Sequence, residues 1–380
     1  MSAPSKARSP QPGAFRLGHA GGEDWPRLYA DCLAQIGPLP AGANFGLVYV
    51  TDLIAGELPD ILERLRRETG IAAWAGAVGM GICATGVEYF DEPAIAMLVC
   101  ALPPGSFRLF SLDRTDPPAA LTQPAPGGER LASGLVHGDP RFGEVAETVA
   151  AVAGAAQAYL IGGLSSARTA PWQVAGSVVE RGISGVLFDD RIELVTGMTQ
   201  GCSPIGPIRH VTVGADNIVA EIDGRPALDA FKADIGELLS RDLKKVGGLI
   251  FAGLPVAGTD KTDYLVRNLL AIDQQEGWIA IAGTVAPGDP ILFCRRDRAA
   301  AAADLDRMLD DVTRRAGGRA KAGVYFSCVG RGPGFFGGDG RELAAIRERL
   351  GDLPLVGFFG NGEIVCDRIY GYTGVLALFL

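Results

Sequence analysis

Three stretches of this chain carry residue types that can do chemistry. The first is Gln200-Gly201-Cys202-Ser203-Pro204-Ile205-Gly206-Pro207. Its polar side chains and two fixed prolines suit a rigid loop that lines a ligand, or a structural crossing between two domains. Cys202 could act as a nucleophile with His210 as its base. Eight residues of separation do not bring the two together, and no acid stands ready to orient the histidine. The second stretch is Tyr264–Ile272, mostly apolar but holding Arg267 and Asn268. A guanidinium there needs a carboxylate, either a structural partner or a ligand that it grips through two nitrogens.

The third stretch is Gly357-Phe358-Phe359-Gly360-Asn361-Gly362-Glu363, a Gly-x-x-Gly-x-Gly run. Bare glycines inside a strand let a ligand or a second backbone come close, and Asn361 and Glu363 would offer polar contacts. The same spacing occurs at Gly76, Gly79 and Gly81 among apolar neighbours such as Met80, where a bulge or a tight strand crossing is the better account. Neither run is a phosphate cradle, because a strand and not a helix follows and the lysine is missing.

Histidine is scarce: His19, His137 and His210 are the only three. No His/Cys/Asp cluster has zinc spacing, so no metal is expected. A haem would need one accessible histidine in an apolar pocket, and His210, beside a strand, is the one placed to try. Otherwise no cofactor is expected.

The elements around these residues read as α+β, with mixed or antiparallel sheets and outer helices. Phe45–Val50, Ile71–Ile82 and Ala94–Leu102 are strands, with a charged amphipathic helix at Glu57–Thr69. Ala322–Cys328, a helix at Asp339–Leu350, Pro354–Ile364 and Tyr372–Leu380 repeat that plan of strand, helix, strand, strand at the far end of the chain. Phe142–Ile161 followed by Gly182–Phe188 resembles a degenerate middle copy, with Arg191–Met198 returning as a hairpin across Asp189-Asp190. Several strands pair directly with no helix between them, which argues against a doubly wound parallel sheet.

Six prolines mark Pro103–Arg130 as an irregular connector holding at most the strand Phe107–Leu112. Further on, Val211–Val213 and Asn217–Ile222 flank a turn, Pro226–Ser240 and Ala299–Arg315 are helices, and Gly248–Leu254, Trp278–Gly283 and Pro290–Cys294 are strands. Gln200–Pro207 is too irregular for either.

At 380 residues the chain has room for two domains of ordinary size. A net charge of −9 argues against nucleic acid or anionic lipid as a main partner. No apolar run approaches the roughly 18 residues of a membrane span. Met1–Gly22 lacks the apolar core of a signal peptide, so residues 1–25 are expected to be a disordered arm. Seven scattered cysteines, none in Cys-x-x-Cys spacing, suit a reducing cytoplasm.

Taken in order, several pieces resemble the FIST family, a bacterial sensory module also found beside an F-box in eukaryotes. They are Gly46–Val50 with its helix and glycine-rich strand, Gln200–Gly206, Glu221–Ala227, Tyr264–Leu270, Gly357–Ile364, and Gly371-Tyr372-Thr373. The resemblance spans roughly residues 40 to 380. It implies an N-terminal FIST domain over 26–222, with the connector 103–130 inside it, and a C-terminal one over 223–380.

It also implies an intracellular sensor of small ligands, with amino acids a proposed class. With no complete catalytic constellation in the chain, the expectation is a non-enzymatic sensor holding a small polar ligand, an amino or organic acid, in a crevice between the domains. The candidate ligand residues are Gln200, Gly201, Cys202, Pro204, Ile205, Arg267, Asn268, Gly360, Asn361, Glu363 and Tyr372. Some family members bind haem through a histidine and sense nitric oxide, which keeps His210 as an alternative; an interaction scaffold with no ligand is another. No transmitter or F-box segment is evident, so output would pass through a separate signalling protein.

Overall fold

The run Phe45–Thr51 forms a strand buried at every position, as a strand covered on both faces must be. After it, Leu58, Ile61, Leu62 and Leu65 give the helix Leu58–Thr69 one apolar face, and Gly70 ends it in the left-handed conformation. The chain returns as Ala73–Gly79, parallel to the first strand, with Val48 opposite Gly76. It then breaks at Met80. Gly81–Ala84 and Val87–Phe90 form a hairpin that joins a different sheet, and Ala94–Cys100 comes back antiparallel beside Phe45–Thr51.

The computed structural model describes residues 15–256, 263–338 and 340–380, without the side chains of Leu238 and Lys245. Two more stretches repeat the path. Leu131–Gly138 runs parallel to Tyr159–Leu164, and Ala322–Cys328 runs parallel to Leu355–Gly360. Three six-stranded sheets result, each with the same order. An outer strand comes first, then the returning strand, then the parallel pair, then a hairpin lent by another repeat. The hairpin beginning at Gln173 completes the first sheet, the one at Glu363 the second, and the one at Gly81 the third.

One close approach recurs in all three. A Cβ placed on Gly76, Gly162 or Gly357 would run into the carbonyl oxygen of Val48, Val136 or Tyr325, its partner on the neighbouring parallel strand. One residue further along each first strand, Tyr49, His137 and Phe326 meet in the shared core, with ring centroids 5.6 to 6.3 Å apart. Phe358 stacks on Tyr49, filling space that Gly163 leaves.

These sheets make up one compact unit, formed by residues up to Met198, Asp306–Ile369 and Thr373–Leu380; Thr199–Leu305 and Tyr370–Tyr372 make the other. In the second unit, Arg209–Ala215, Ile218–Ile222, Ile279–Ile281, Tyr264–Ile272, Ile250–Pro255 and Pro290–Arg296 pair in a ring that closes on itself. The helix Ala227–Ser240 adds Ala227, Leu228 and Phe231 to the core of that ring, Phe231 against Phe293 at 4.9 Å. The α+β class with mixed and antiparallel sheets is as expected.

Several local expectations are corrected. Phe15–Gly21, assigned to the disordered arm, is a strand paired with Ala94–Cys100; Phe15 and Leu17 pack on the core although the stretch is too short and polar to announce itself. Residues 1–14 lie outside the described residues, as does Asp339, where the last helix was expected to begin. The stretch after Arg191 makes no hairpin with Gly182–Phe188. Leu194–Gln200 instead edges the third sheet, while Ile183–Asp189 is flanked on both sides by Phe107–Leu112 and Leu131–Gly138. Cys202–Pro204, read as irregular, is a short strand on Pro290–Arg296.

The close approach sets a test with opposite signs in one chain. Gly162→Ala is expected to destabilise the protein by about 3 kcal/mol, because a strand must move to admit a methyl group. Gly154→Ala, on an exposed helical position with open space around it, should be neutral or stabilising by about 0.5 kcal/mol. Urea unfolding of the two variants reads both.

Candidate functional site

On the second unit, three segments distant in sequence converge on Tyr372. Its φ of 60° is left-handed, an outlier for a bulky residue that the surroundings must enforce. The Gly201 N–H donates to its carbonyl at 2.7 Å, and its ring packs on Phe251 at 4.5 Å. The Arg296 guanidinium lies over the same ring at 5.7 Å. The Tyr372 hydroxyl donates to Oδ1 of Asn268 at 2.9 Å, near the surface. Beside it, Gln200 gives its Nε2 to the Tyr264 carbonyl at 2.9 Å, while its Oε1 is buried with no hydrogen-bond partner. An unsatisfied buried acceptor is costly.

The other expected residues of this unit divide. Cys202 is buried under the group; its carbonyl accepts from the Tyr264 hydroxyl at 2.7 Å, and its thiol shares a buried cluster with Cys294, whose own thiol donates to the Phe251 carbonyl at 3.8 Å. The neighbouring Cys202 thiol, and after it burial, push the Cys294 thiol far up from its ordinary value. Pro204 lies opposite Cys294, and the Ile205 N–H donates to the Phe293 carbonyl. His210 is exposed on its strand, outside any apolar pocket and away from the two thiols' cluster. Arg267 follows Val266 and precedes Asn268 in a regular strand, so it points to the face opposite Asn268. Its stem passes Gly283, its Nη1 donates to the Val266 carbonyl, and burial lowers its pKa. Arg296 was not foreseen, since it is one of three arginines in the charged run Arg295-Arg296-Asp297-Arg298 and nothing in that run singles it out.

Gly360, Asn361 and Glu363 belong to the first unit. Gly360 and the Asn361 N–H meet the Leu164 carbonyl where the chain changes sheets. Glu363 is wholly buried, its Oε2 accepting from the Thr373 hydroxyl (2.7 Å) and N–H (3.2 Å). Burial pushes its pKa up to about 8.

Near it lies a polar seat. Oε1 of Glu342 accepts from the Tyr325 hydroxyl (2.7 Å) and from Nε and Nη2 of Arg331 (3.0 and 2.6 Å); Oε2 accepts from Ser327 (2.8 Å). The ion pair is buried, with both side chains 1% exposed.

Models of two domain families match the chain: the FIST N domain over residues 44–225 and the FIST C domain over 227–366. An uncharacterized protein of Mycobacterium tuberculosis is 30% identical over 354 residues, covering 84% of this chain and 87% of its own. The chain belongs to the FIST family. An uncharacterized protein of Mycobacterium bovis is 35% identical over 53% of this chain and 54% of its own, and human F-box only protein 22 is 52% identical over 48 residues, 12% of each. FIST domains are associated with signal transduction and the sensing of small ligands. No helix among the described residues is long and apolar enough to cross a membrane.

The two FIST regions and the two compact units divide the chain differently. The junction between the FIST regions falls at the start of the helix Ala227–Ser240, inside the second unit. The polar seat falls within the FIST C region, and comparison with the first sheet shows how unusual it is. Aligning the close-approach glycines and the helix-ending Gly70 and Gly351 puts Val48, Val50, Ile54 and Ile61 where Tyr325, Ser327, Arg331 and Glu342 stand. Those four are plain apolar core. In the second sheet the places of Tyr325 and Glu342 are taken by Val136 and Thr148, whose hydroxyl turns back to its own helix.

The fold therefore does not require the ion pair, and an apolar set of similar volume is commonly as stable. Glu342→Gln alone should cost about 3–5 kcal/mol, since it removes the carboxylate that holds the buried Arg331 in an ion pair. The fourfold copy of the first sheet (Tyr325→Val, Ser327→Val, Arg331→Ile, Glu342→Ile) should lie within about 1 kcal/mol of the parent. Denaturant midpoints of the two variants decide the matter.

Proposed function

We propose that this FIST protein is a sensor, not an enzyme, which binds a small polar ligand of the amino-acid or organic-acid class and passes the signal to a separate protein. The strained Tyr372 carries the reading: it holds Asn268, Gly201 and Arg296 in one polar group on the second unit. Strain of that kind persists where surrounding structure enforces it and clusters at binding sites. The guanidinium of Arg296 suits a carboxylate; Asn268 and the Tyr372 hydroxyl suit the amino or hydroxyl groups of the same molecule.

A cytoplasmic setting fits the seven free cysteines, six of them buried. Haem ligation through His210 is the weaker account, because an exposed histidine on a strand gives a haem no apolar pocket. Cysteine chemistry at Cys202 is weaker too, because the thiol is buried in a cluster with Cys294 and apolar side chains and not beside a base.

Calorimetric titration with an acid that binds the parent tests the site. Asn268→Ala and Tyr372→Phe should each weaken binding by about tenfold, the loss of one hydrogen bond to a charged or strongly polar group. Arg267→Ala, on the opposite strand face, should leave affinity within about twofold of the parent. Parent affinity in both of the first two variants, or a loss confined to Arg267→Ala, would overturn the assignment.

A further inference from the structure

The polar seat of the first unit collects more charge than its ion pair can balance. Glu342 and Arg331 sit at its centre. From the hairpin strand Val87–Phe90, Glu88 reaches the first turn of the helix Arg341–Leu350, where it accepts from the Leu343 N–H at 3.3 Å. From the other side comes Glu363, which the charges of both Arg331 and Glu342 reach. The one buried guanidinium thus has two carboxylates in reach, Glu342 and Glu363, and Glu88 adds a third negative group beside Glu342. Two polar atoms of the set, Arg331 Nη1 and Glu363 Oε1, are buried without a hydrogen-bond partner. The remaining polar neighbours are neutral: the hydroxyls of Tyr325, Ser327 and Thr373, and the Cys83 thiol, which donates to the Tyr325 carbonyl at 3.7 Å.

Such a set cannot hold three ionised carboxylates at low cost, because like charges in a poorly solvated site oppose one another. We propose that the seat is a proton-binding site, so that protonation of Glu88 and Glu363 docks the helix Arg341–Leu350 on its sheet and loss of those protons loosens it. The helix is where the set would act, since it carries Glu342 and has Glu88 at its N-terminal turn, whereas its counterpart Leu58–Thr69 rests on an apolar seat with no such groups. Protons therefore join ligand binding on the second unit as a separate input.

The direction follows from the two raised acids. Burial lifts Glu88 to about 7 and Glu363 to about 8. Each group's contribution is complete below the ordinary carboxylate value, drains as pH rises, and is gone above those two figures. His137 works oppositely: burial lowers it from 6.5 to about 3, so it affects stability only below pH 6.5. The window from pH 6.5 to 8.5 isolates the carboxylates.

Hydrogen exchange of the whole protein, corrected for intrinsic rates, tests the proposal with the sister helix as an internal standard. Between pH 6.5 and 8.5 the protection of Leu343–Leu350 amides should fall on the order of tenfold relative to Leu62–Thr69. In the double variant Glu88→Gln, Glu363→Gln that relative fall should vanish, because an amide mimics the protonated acid. A flat ratio in the parent overturns the proposal with no variant needed, and so does a fall that survives undiminished in the double variant.

Discussion

The first unit rests on three places where a backbone carbonyl occupies the space a side chain would need. Gly76, Gly162 and Gly357 lie against Val48, Val136 and Tyr325, and the parallel strand pairs close up around them. That closeness brings Tyr49, His137 and Phe326 together at the centre, one from each sheet, with Tyr49 and His137 sharing a hydrogen bond of 3.1 Å. The strand following each glycine then leaves its own sheet, and a hairpin crosses to the next. No sheet is complete without another repeat, so the three repeats are expected to fold as one cooperative body.

Within that shared plan, the differences between repeats carry information. A helix must cover its sheet, and Val48, Val50, Ile54 and Ile61 show that an apolar layer suffices. The third repeat departs from this with a buried ion pair, two hydroxyls and two further acids close by. The second unit shows a different departure: a closed ring of antiparallel strands whose surface holds a tyrosine in a conformation tyrosine avoids. Both departures are local costs that packing elsewhere offsets, and both mark places where the sequence serves something besides the fold.

Much of the architecture was legible because period and punctuation are local. Phe45–Thr51, Leu58–Thr69 and Ala322–Cys328 announce themselves by apolar runs, helical spacing and terminal glycines. Partner choice was not legible. Arg191–Met198 follows two aspartates that suit a hairpin, yet its strand finds the third sheet, because pairing is decided by three-dimensional register. Leu131–Gly138 hid behind a proline-rich connector, and with it His137, which lies in the core. At the candidate site, Gln200, Gly201, Asn268 and Tyr372 were named from sequence and converge. Arg267 was named for its unusual apolar setting, a property both strand faces share, so sequence could not place it on the face away from Asn268. Glu363 was named beside bare glycines, and those glycines serve backbone packing.

The central claim is that this FIST protein recognises a small polar acid. A thermal-shift panel of amino acids, organic acids, nucleotides and haemin, with an absorbance spectrum taken first, tests it most directly. The account predicts a reproducible rise with at least one small acid; at 100 times its dissociation constant a ligand adds about 2.7 kcal/mol, well within detection. A Soret band with haemin and no acid response would contradict it, and silence across the whole panel would contradict it equally.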